Sequence, residues 1–217
     1  MKKTAFFILA LTPLLFSCNN SSDDKSKSTT DSTKITVGND EMKNTAPLDS
    51  TAKAKNWTTY MTVGDMQKMI ASWDGTWNAE MTMWETPGAA PQKSTGTTVN
   101  KMVLGGRYQE SVNTSTVMGM PFEGHGTLGF DNLKKVFEST WIDNMGTGVM
   151  KMSGPWDAAT KSVTLTGKMT DPQSGKEADY KETFSVLDDN TQMMDMYGKA
   201  PDGKEFKSME IKFTRKK

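Results

Sequence analysis

From Gly75 to the C-terminus the chain repeats one device, a run of alternating apolar and polar residues closed at short intervals by turn chemistry. Ten such runs follow one another, at approximately 76–85, 94–104, 107–118, 121–130, 135–143, 147–154, 162–170, 177–187, 191–198 and 205–215. Pro87-Gly88, Gly105-Gly106, Asp131-Asn132, Asn144-Met145-Gly146, Asp171-Pro172, Asp188-Asp189-Asn190 and Pro201-Asp202-Gly203 separate them. Period-two alternation without a helical crossover reads as consecutive antiparallel strands. An open sheet of that length would leave two unpaired edges, whereas a closed one leaves none. The expected fold is therefore all-β, an up-and-down antiparallel barrel of about ten strands.

One short helix is expected before the barrel. Met66, Met69, Ile70 and Trp73 recur at i, i+3, i+4 and i+7, with Thr62 or Asp65 as candidate N-cap and Gly75 just past the end.

Closure makes a register testable from sequence alone. In a meander barrel the first and last strands are antiparallel neighbours, so Trp77 meets Arg215. The same face then pairs Ala79 with Phe213, Met81 with Ile211 and Met83 with Met209, all apolar. Gly75-Thr76-Trp77 after a short helix, with a basic residue ending the final strand, resembles the calycin pattern of lipocalins and fatty-acid-binding proteins. The resemblance implies that Arg215 packs across the Trp77 indole and shuts the barrel floor, a cation–π contact of about 1 kcal/mol. More of the chain is similar to a calycin-like family of bacterial domains of unknown function. That likeness rests on Leu104-Gly105-Gly106-Arg107-Tyr108, Phe122-Glu123-Gly124, Gly126, Gly129-Phe130-Asp131, Trp141-Ile142-Asp143, Met145-Gly146, Tyr197, Asp202-Gly203-Lys204 and Thr214-Arg215. It implies a fold and brings no activity.

The N-terminus carries an address. Lys2-Lys3, an apolar run from Ala5 to Phe16 and the closing Leu15-Phe16-Ser17-Cys18 resemble a bacterial lipoprotein signal, although Phe16 is bulky where a small residue is usual. The run is too short to span a bilayer. The resemblance implies cleavage after residue 17, lipidation of Cys18 and an envelope protein held by its lipid, most simply at the outer membrane, periplasmic or surface-exposed. Residues 18–55 are mostly Ser, Thr, Asp, Lys and Asn, a composition that cannot offset the entropy of ordering and reads as a disordered tether. Residues 56–217 then form the folded domain.

Composition excludes several functions. Removing Lys2 and Lys3 from a chain with 26 basic and 26 acidic residues leaves a formal charge of −2, without the footprint of a nucleic-acid binder. With Cys18 lipidated, the single cysteine leaves no disulfide or thiol nucleophile. The single histidine, His125, rules out multi-histidine zinc sites and leaves a hydrolase or a haem ligand resting on one residue. No metal site, no cofactor and no catalytic set is assigned. Glu138, Asp143 and Asp195 are candidate acids whose separation the sequence does not give.

Methionine is the compositional outlier, 18 residues in the chain. Four pairs fall at i, i+2, namely Met81/Met83, Met118/Met120, Met150/Met152 and Met194/Met196, so each pair points to one face. They fit either an adaptable cavity wall or a filled core that favours Met; a thioether Cu(I) site is a third, lesser reading. Met81, Met83, Met209, Ile211, Phe213 and Trp141 are the expected apolar lining. Arg107, Tyr108, His125 and Tyr197 are candidate head-group contacts, or closing residues of the rim and ordinary surface. The expected function is binding of a small apolar or amphipathic molecule by a monomer or weak oligomer, without catalysis. The alternative is an envelope interaction module with a filled barrel.

Overall fold

The structure is a computed structural model that describes residues 49–217 apart from Gln173 and Pro201. The Cys18 lipidation site, the signal segment and most of the polar tether lie outside the described residues. Residues 50–55, assigned from composition to the tether, are helical: α1 spans Ser50–Met61. The Asp49 carboxylate accepts the Ala52 amide at 2.7 Å, and the good helix formers Ala52, Lys53, Ala54 and Lys55 follow. A tether reading built on missing apolar residues overlooks this, because α1 buries none of its side chains.

The expected short helix is α2, Asp65–Ala71. Its N-cap is Gly64, which corrects both candidates: Thr62 terminates α1, and Asp65 is already the first helical residue. The Gln67 side chain takes over the capping task, accepting the Gly64 amide at 2.9 Å while its Nε2 donates to the Phe130 carbonyl at 3.0 Å. Ile70 and Trp73 are driven into one core with Phe137, Met150, Met152, Val163 and Leu165. Full burial of side chains such as Ile70, Phe137 and Leu165 contributes about 1.5–3 kcal/mol each.

Eleven strands follow among the described residues. They are β1 Gly75–Met83, β2 Gln92–Val103, β3 Tyr108–Val117, β4 Met120–Asp131, β5 Val136–Asp143, β6 Met150–Gly154, β7 Trp156–Asp157, β8 Ser162–Asp171, β9 Lys176–Asp188, β10 Thr191–Lys199 and β11 Glu205–Arg215. Ten of them close an antiparallel up-and-down barrel, each pairing with its neighbours in sequence, while the two-residue β7 pairs only with β8. β1 and β11 join in the register Trp77↔Arg215, Ala79↔Phe213, Met81↔Ile211 and Met83↔Met209. The remaining seam is β6–β8, three residue pairs long. Glycine makes that seam possible: a side chain on Gly154 would collide with the Thr164 carbonyl oxygen, and one on Gly167 with that of Lys151.

α2 plugs one end, the floor, where β1 begins and β11 ends. Trp77 donates its indole N–H to the Trp73 carbonyl at 3.0 Å, and Gln109 donates to the Ile70 carbonyl at 2.9 Å and the Asp74 carboxylate at 2.7 Å. The opposite end, the mouth, is formed by the ends of β1, β3, β5, β8 and β10 and their loops.

Candidate functional site

The inward face of every strand follows from the strand pairings, since residues directly opposite share a face. Trp77 pairs with Thr98, Thr98 with Asn113, Asn113 with Gly124 and Gly124 with Asp143, so all five side-chain positions face the interior. Accessibility along these inward rows changes from floor to mouth. In β1, Trp77 and Ala79 are buried, whereas Met81 and Met83 are partly exposed. β8 repeats the trend, with Val163 and Leu165 1% exposed and Met169 and Asp171 partly exposed. In β5 Phe137 is fully buried, and Ser139, Trp141 and Asp143 are not. An inward side chain that keeps accessible surface in a closed barrel is not fully covered by its neighbours.

That interior is two-sided. β2 and β3 contribute Ser94, Thr98, Asn100, Gln109, Ser111 and Asn113, a polar wall partly satisfied within itself, as where Thr98 Oγ1 donates to Asn113 Oδ1. Across the ring, β8 to β11 and β1 contribute Leu165, Phe184, Met194, Met196, Met209, Met81 and Met83. Trp141 belongs to the inward set but does not project into the space. Its ring lies over Gly124 and Gly126, either of which would collide with it or with Ser111 if it carried a side chain. The Trp141 ring also stacks on Phe122 at 6.4 Å between centroids, and its Nε1 donates to Asp143 at 2.8 Å.

One group in this interior was not singled out from sequence. Glu182 of β9 pairs with Leu165 on one side and Met196 on the other, and stands between Tyr180 and Phe184 on the same face. It is deeply enclosed yet keeps some accessible surface, and burial pushes its carboxyl up to about 7. Among the described residues it has no hydrogen bond or ion pair. The signal for it was in the alternation: Ala178, Tyr180, Phe184 and Val186 are the apolar half of β9, and Glu182 occupies that half.

The candidate site residues divide. Met81, Met83, Met209, Ile211, Phe213 and Trp141 lie on inward rows. Arg215 stacks over the Trp77 ring at 4.2 Å and donates to the carbonyls of Asp74 (2.6 Å), Ser72 (2.8 Å) and Asp189 (3.0 Å). Four proposed ligand contacts are outside the interior. His125 alternates outward with Glu123 and pairs with it at 2.8 Å, both about half exposed, which takes away the residue on which an internal haem or hydrolase site would rest. Arg107 sits in the floor turn and donates to the Met61 and Leu104 carbonyls, fastening the end of α1. Tyr108 packs on the outer side of Gly129. Tyr197 lies on the outer wall under Lys181 at 4.3 Å.

The candidate acids do not converge. Glu138 pairs with Lys134 outside, Asp195 pairs with Lys207 outside, and Asp143 holds Trp141 and the Met145 and Gly146 amides. Of the four Met pairs, Met81/Met83, Met150/Met152 and Met194/Met196 face inward. Met118 and Met120 flank the exposed β3–β4 turn. Among the described residues no group of three or more His, Cys, Asp or Glu side chains is placed to hold a metal ion. No described helix is long and apolar enough to cross a membrane.

Similarity to one solved structure agrees with this architecture. The crystal structure of Rv2717c from M. tuberculosis superposes with a TM-score of 0.56 at 11% identity, covering 72% of this chain and 100% of that one, a likeness of fold alone. A redesigned β-barrel aligns at a TM-score of 0.36 and 16% identity, over 68% of this chain and 95% of that one. No curated protein matches the chain. A family profile matches residues 62–215, from the end of α1 through the last residue of β11, and the chain belongs to that family, described as Protein of unknown function (DUF1579).

Proposed function

We propose that this protein is a calycin-like carrier of the cell envelope, tethered through a lipid on Cys18, that takes a small amphipathic molecule into the mouth half of its barrel without transforming it. The observation that carries this reading is the graded exposure of the inward rows. The floor is packed shut by α2, Trp73 and Trp77, while the methionine wall above it retains accessible surface opposite a wall of hydroxyls and amides. Methionine suits such a wall because its unbranched, polarisable side chain adapts to different apolar shapes. The separate engagement of Glu138, Asp143 and Asp195 supports binding over acid–base catalysis.

The test is binding of the neutral fluorophore N-phenyl-1-naphthylamine to the purified chain, with native mass spectrometry for a co-purified molecule. Saturable fluorescence enhancement is expected, and Ala178→Trp, placing an indole on the inward face of β9 near the mouth, should abolish it without loss of stability. Absence of saturable binding, or full binding by Ala178→Trp, refutes the carrier reading.

The second reading, an interaction module, has its own support. Trp57, Tyr60, Met61 and Leu133 are each about half exposed or more, and Trp57, Tyr60 and Leu133 line a surface groove of 340 Å³ beside α1. If surface association is the function, Trp57→Ser with Tyr60→Ser removes it and leaves fluorophore binding unchanged.

A further inference from the structure

We infer that the molecule held in the barrel carries a cationic, amine-type head group, and that the Glu182 carboxylate, set in the methionine wall, is its counter-ion. This rests on the carrier reading and adds the chemistry of the ligand. A continuous row of strand partners runs Leu165, Glu182, Met196, Met209, Met83 across β8, β9, β10, β11 and β1. A carboxyl in the middle of an apolar row has no packing role that Leu or Met would not fill better, and its ionised form there is costly unless a positive charge meets it.

Among the described residues the protein supplies no such charge beside Glu182. Among the described residues the barrel lysines nearest Glu182 in the sheet, Lys168, Lys181 and Lys207, lie on outward rows and pair with Glu177, Glu205 and Asp195 or Glu210. Both arginines are fixed at the floor on backbone carbonyls. The other inward ionisable groups on the upper strands are Asp143, occupied by the Trp141 indole and two turn amides, the strand partners Asp171 and Lys176 at the rim of the mouth, where Lys176 is exposed, and the Tyr180 phenol, which burial pushes further from ionisation. β10 contributes only Met194 and Met196 on the face beside Glu182, and β8 only Val163, Leu165, Gly167 and Met169. β3, five places from β9 in the ten-strand ring and so opposite it, contributes Ser111 and Asn113, which are neutral.

An anionic head, such as a fatty-acid carboxylate, would therefore meet acids, with no cation below Lys176 at the exposed rim. An ammonium meets Glu182, an inward carboxylate without a partner among the described residues, with its apolar chain along the methionines. Burial raises the Glu182 carboxyl to about 7, so without ligand a proton neutralises it below that pH, and ligand ammonium competes with that proton for the carboxylate.

The experiment uses the full chain loaded with N-phenyl-1-naphthylamine and displaced at pH 8 by dodecylamine, dodecanol or dodecanoate, all below micelle-forming concentrations. Dodecylamine is expected to displace at roughly tenfold or more lower concentration than dodecanoate, a difference of about 1.4 kcal/mol or more. Glu182→Gln should bring the two within about threefold, and lowering the pH to 5.5 should weaken the amine about tenfold in the native protein alone, because the proton competes for the same carboxylate. Equal displacement by amine and carboxylate, or a preference that survives Glu182→Gln, overturns the inference while leaving the carrier reading intact. Failure of the neutral probe to bind at all overturns both.

Discussion

Glu182→Gln in the ligand-free chain isolates the cost of the interior carboxyl. In the folded protein burial holds that carboxyl at about 7, against an ordinary value of 4.5. For an acid raised in the folded state, the folded protein binds more protons than the unfolded one between those two values. Stability therefore falls as pH rises through the window and is level above it. At about 1.4 kcal/mol per unit, the penalty reaches roughly 3 kcal/mol at pH 8 and is about 1 kcal/mol at pH 5.5. The substituted amide never ionises, so the variant is expected to exceed the native protein by at most about 3 kcal/mol at pH 8, with the gap narrowing on acidification. For a chain of this size that corresponds to roughly 6–12 °C in Tm. Urea unfolding followed by tryptophan fluorescence at several pH values between 5.5 and 8 reads it directly, because Trp73 and Trp77 are buried at the floor. The carboxyls of Asp131, Asp157 and Asp202 are all held below the ordinary range by amide or side-chain hydrogen bonds, so their stability is lost only at more acid pH and leaves this window clear. His125→Ala, on the outer wall, is the control and should not alter the pH slope between native protein and Glu182→Gln. A variant less stable than the native protein at pH 8, or a gap independent of pH, would refute the desolvation argument.

Arg215→Ala leaves three floor carbonyls without their donor and removes the contact on Trp77, an expected loss of about 2–4 kcal/mol by urea unfolding. Arg215→Lys should recover only part of it, since an ammonium cannot reach three divergent carbonyls as the planar guanidinium does. Gly154→Ala and Gly167→Ala force the β6–β8 seam apart and should each cost about 1–3 kcal/mol, with faster amide exchange in both strands. Gly124→Val drives the Trp141 ring off the β4 wall into the interior; fluorophore binding should fall at least about tenfold, the change of about 1.4 kcal/mol that an indole displaced into the space would exceed.

The strands were legible because two signals coincide, period-two alternation and turn residues, so β11 was bounded at 205–215 from sequence and β10 to within one residue. The β1–β11 register was legible for a further reason: meander topology leaves the chain ends only one partner each. β7 was not, since two residues carry no alternation. α1 was not, since the apolar stripe by which helices are recognised is absent from a helix that buries nothing. The sidedness of His125 was available in principle. Carrying the inward parity from Trp77 through Thr98 and Asn113 to Gly124 puts His125 outside, but each step needs the correct hairpin register, and an error of one residue inverts the result. Glu182 was hidden by its type, because acids searched for as pairs or beside a histidine do not include a single acid among aromatics.

The residues that give the sequence its family likeness turn out to share a task. Gly124 and Gly126 make the bed for Trp141, and Asp143 fixes its indole. Asp131 accepts the Leu133 and Lys134 amides in the β4–β5 turn, Arg107 fastens α1, and Arg215 ties the floor. All of these hold the wall or close an end, and Glu182 is not one of them. That division has a physical reason. Closing ten strands around inward rows that stay partly accessible toward the mouth forgoes part of the burial that stabilises a packed core, so turns, seam and floor need fixed hydrogen bonds at set positions. The interior rows carry no such demand: any residue of suitable size is compatible with the barrel, and a charge there is tolerated at a cost rather than required by the fold. A barrel built this way separates the residues that specify shape from those that choose the ligand, so exchanging Glu182 for Lys should reverse the preference from dodecylamine to dodecanoate in a chain whose strand register is unchanged. Displacement of the neutral fluorophore by the two ligands measures that reversal. A Glu182→Lys barrel that still favours the amine would mean that selectivity lies in the frame after all.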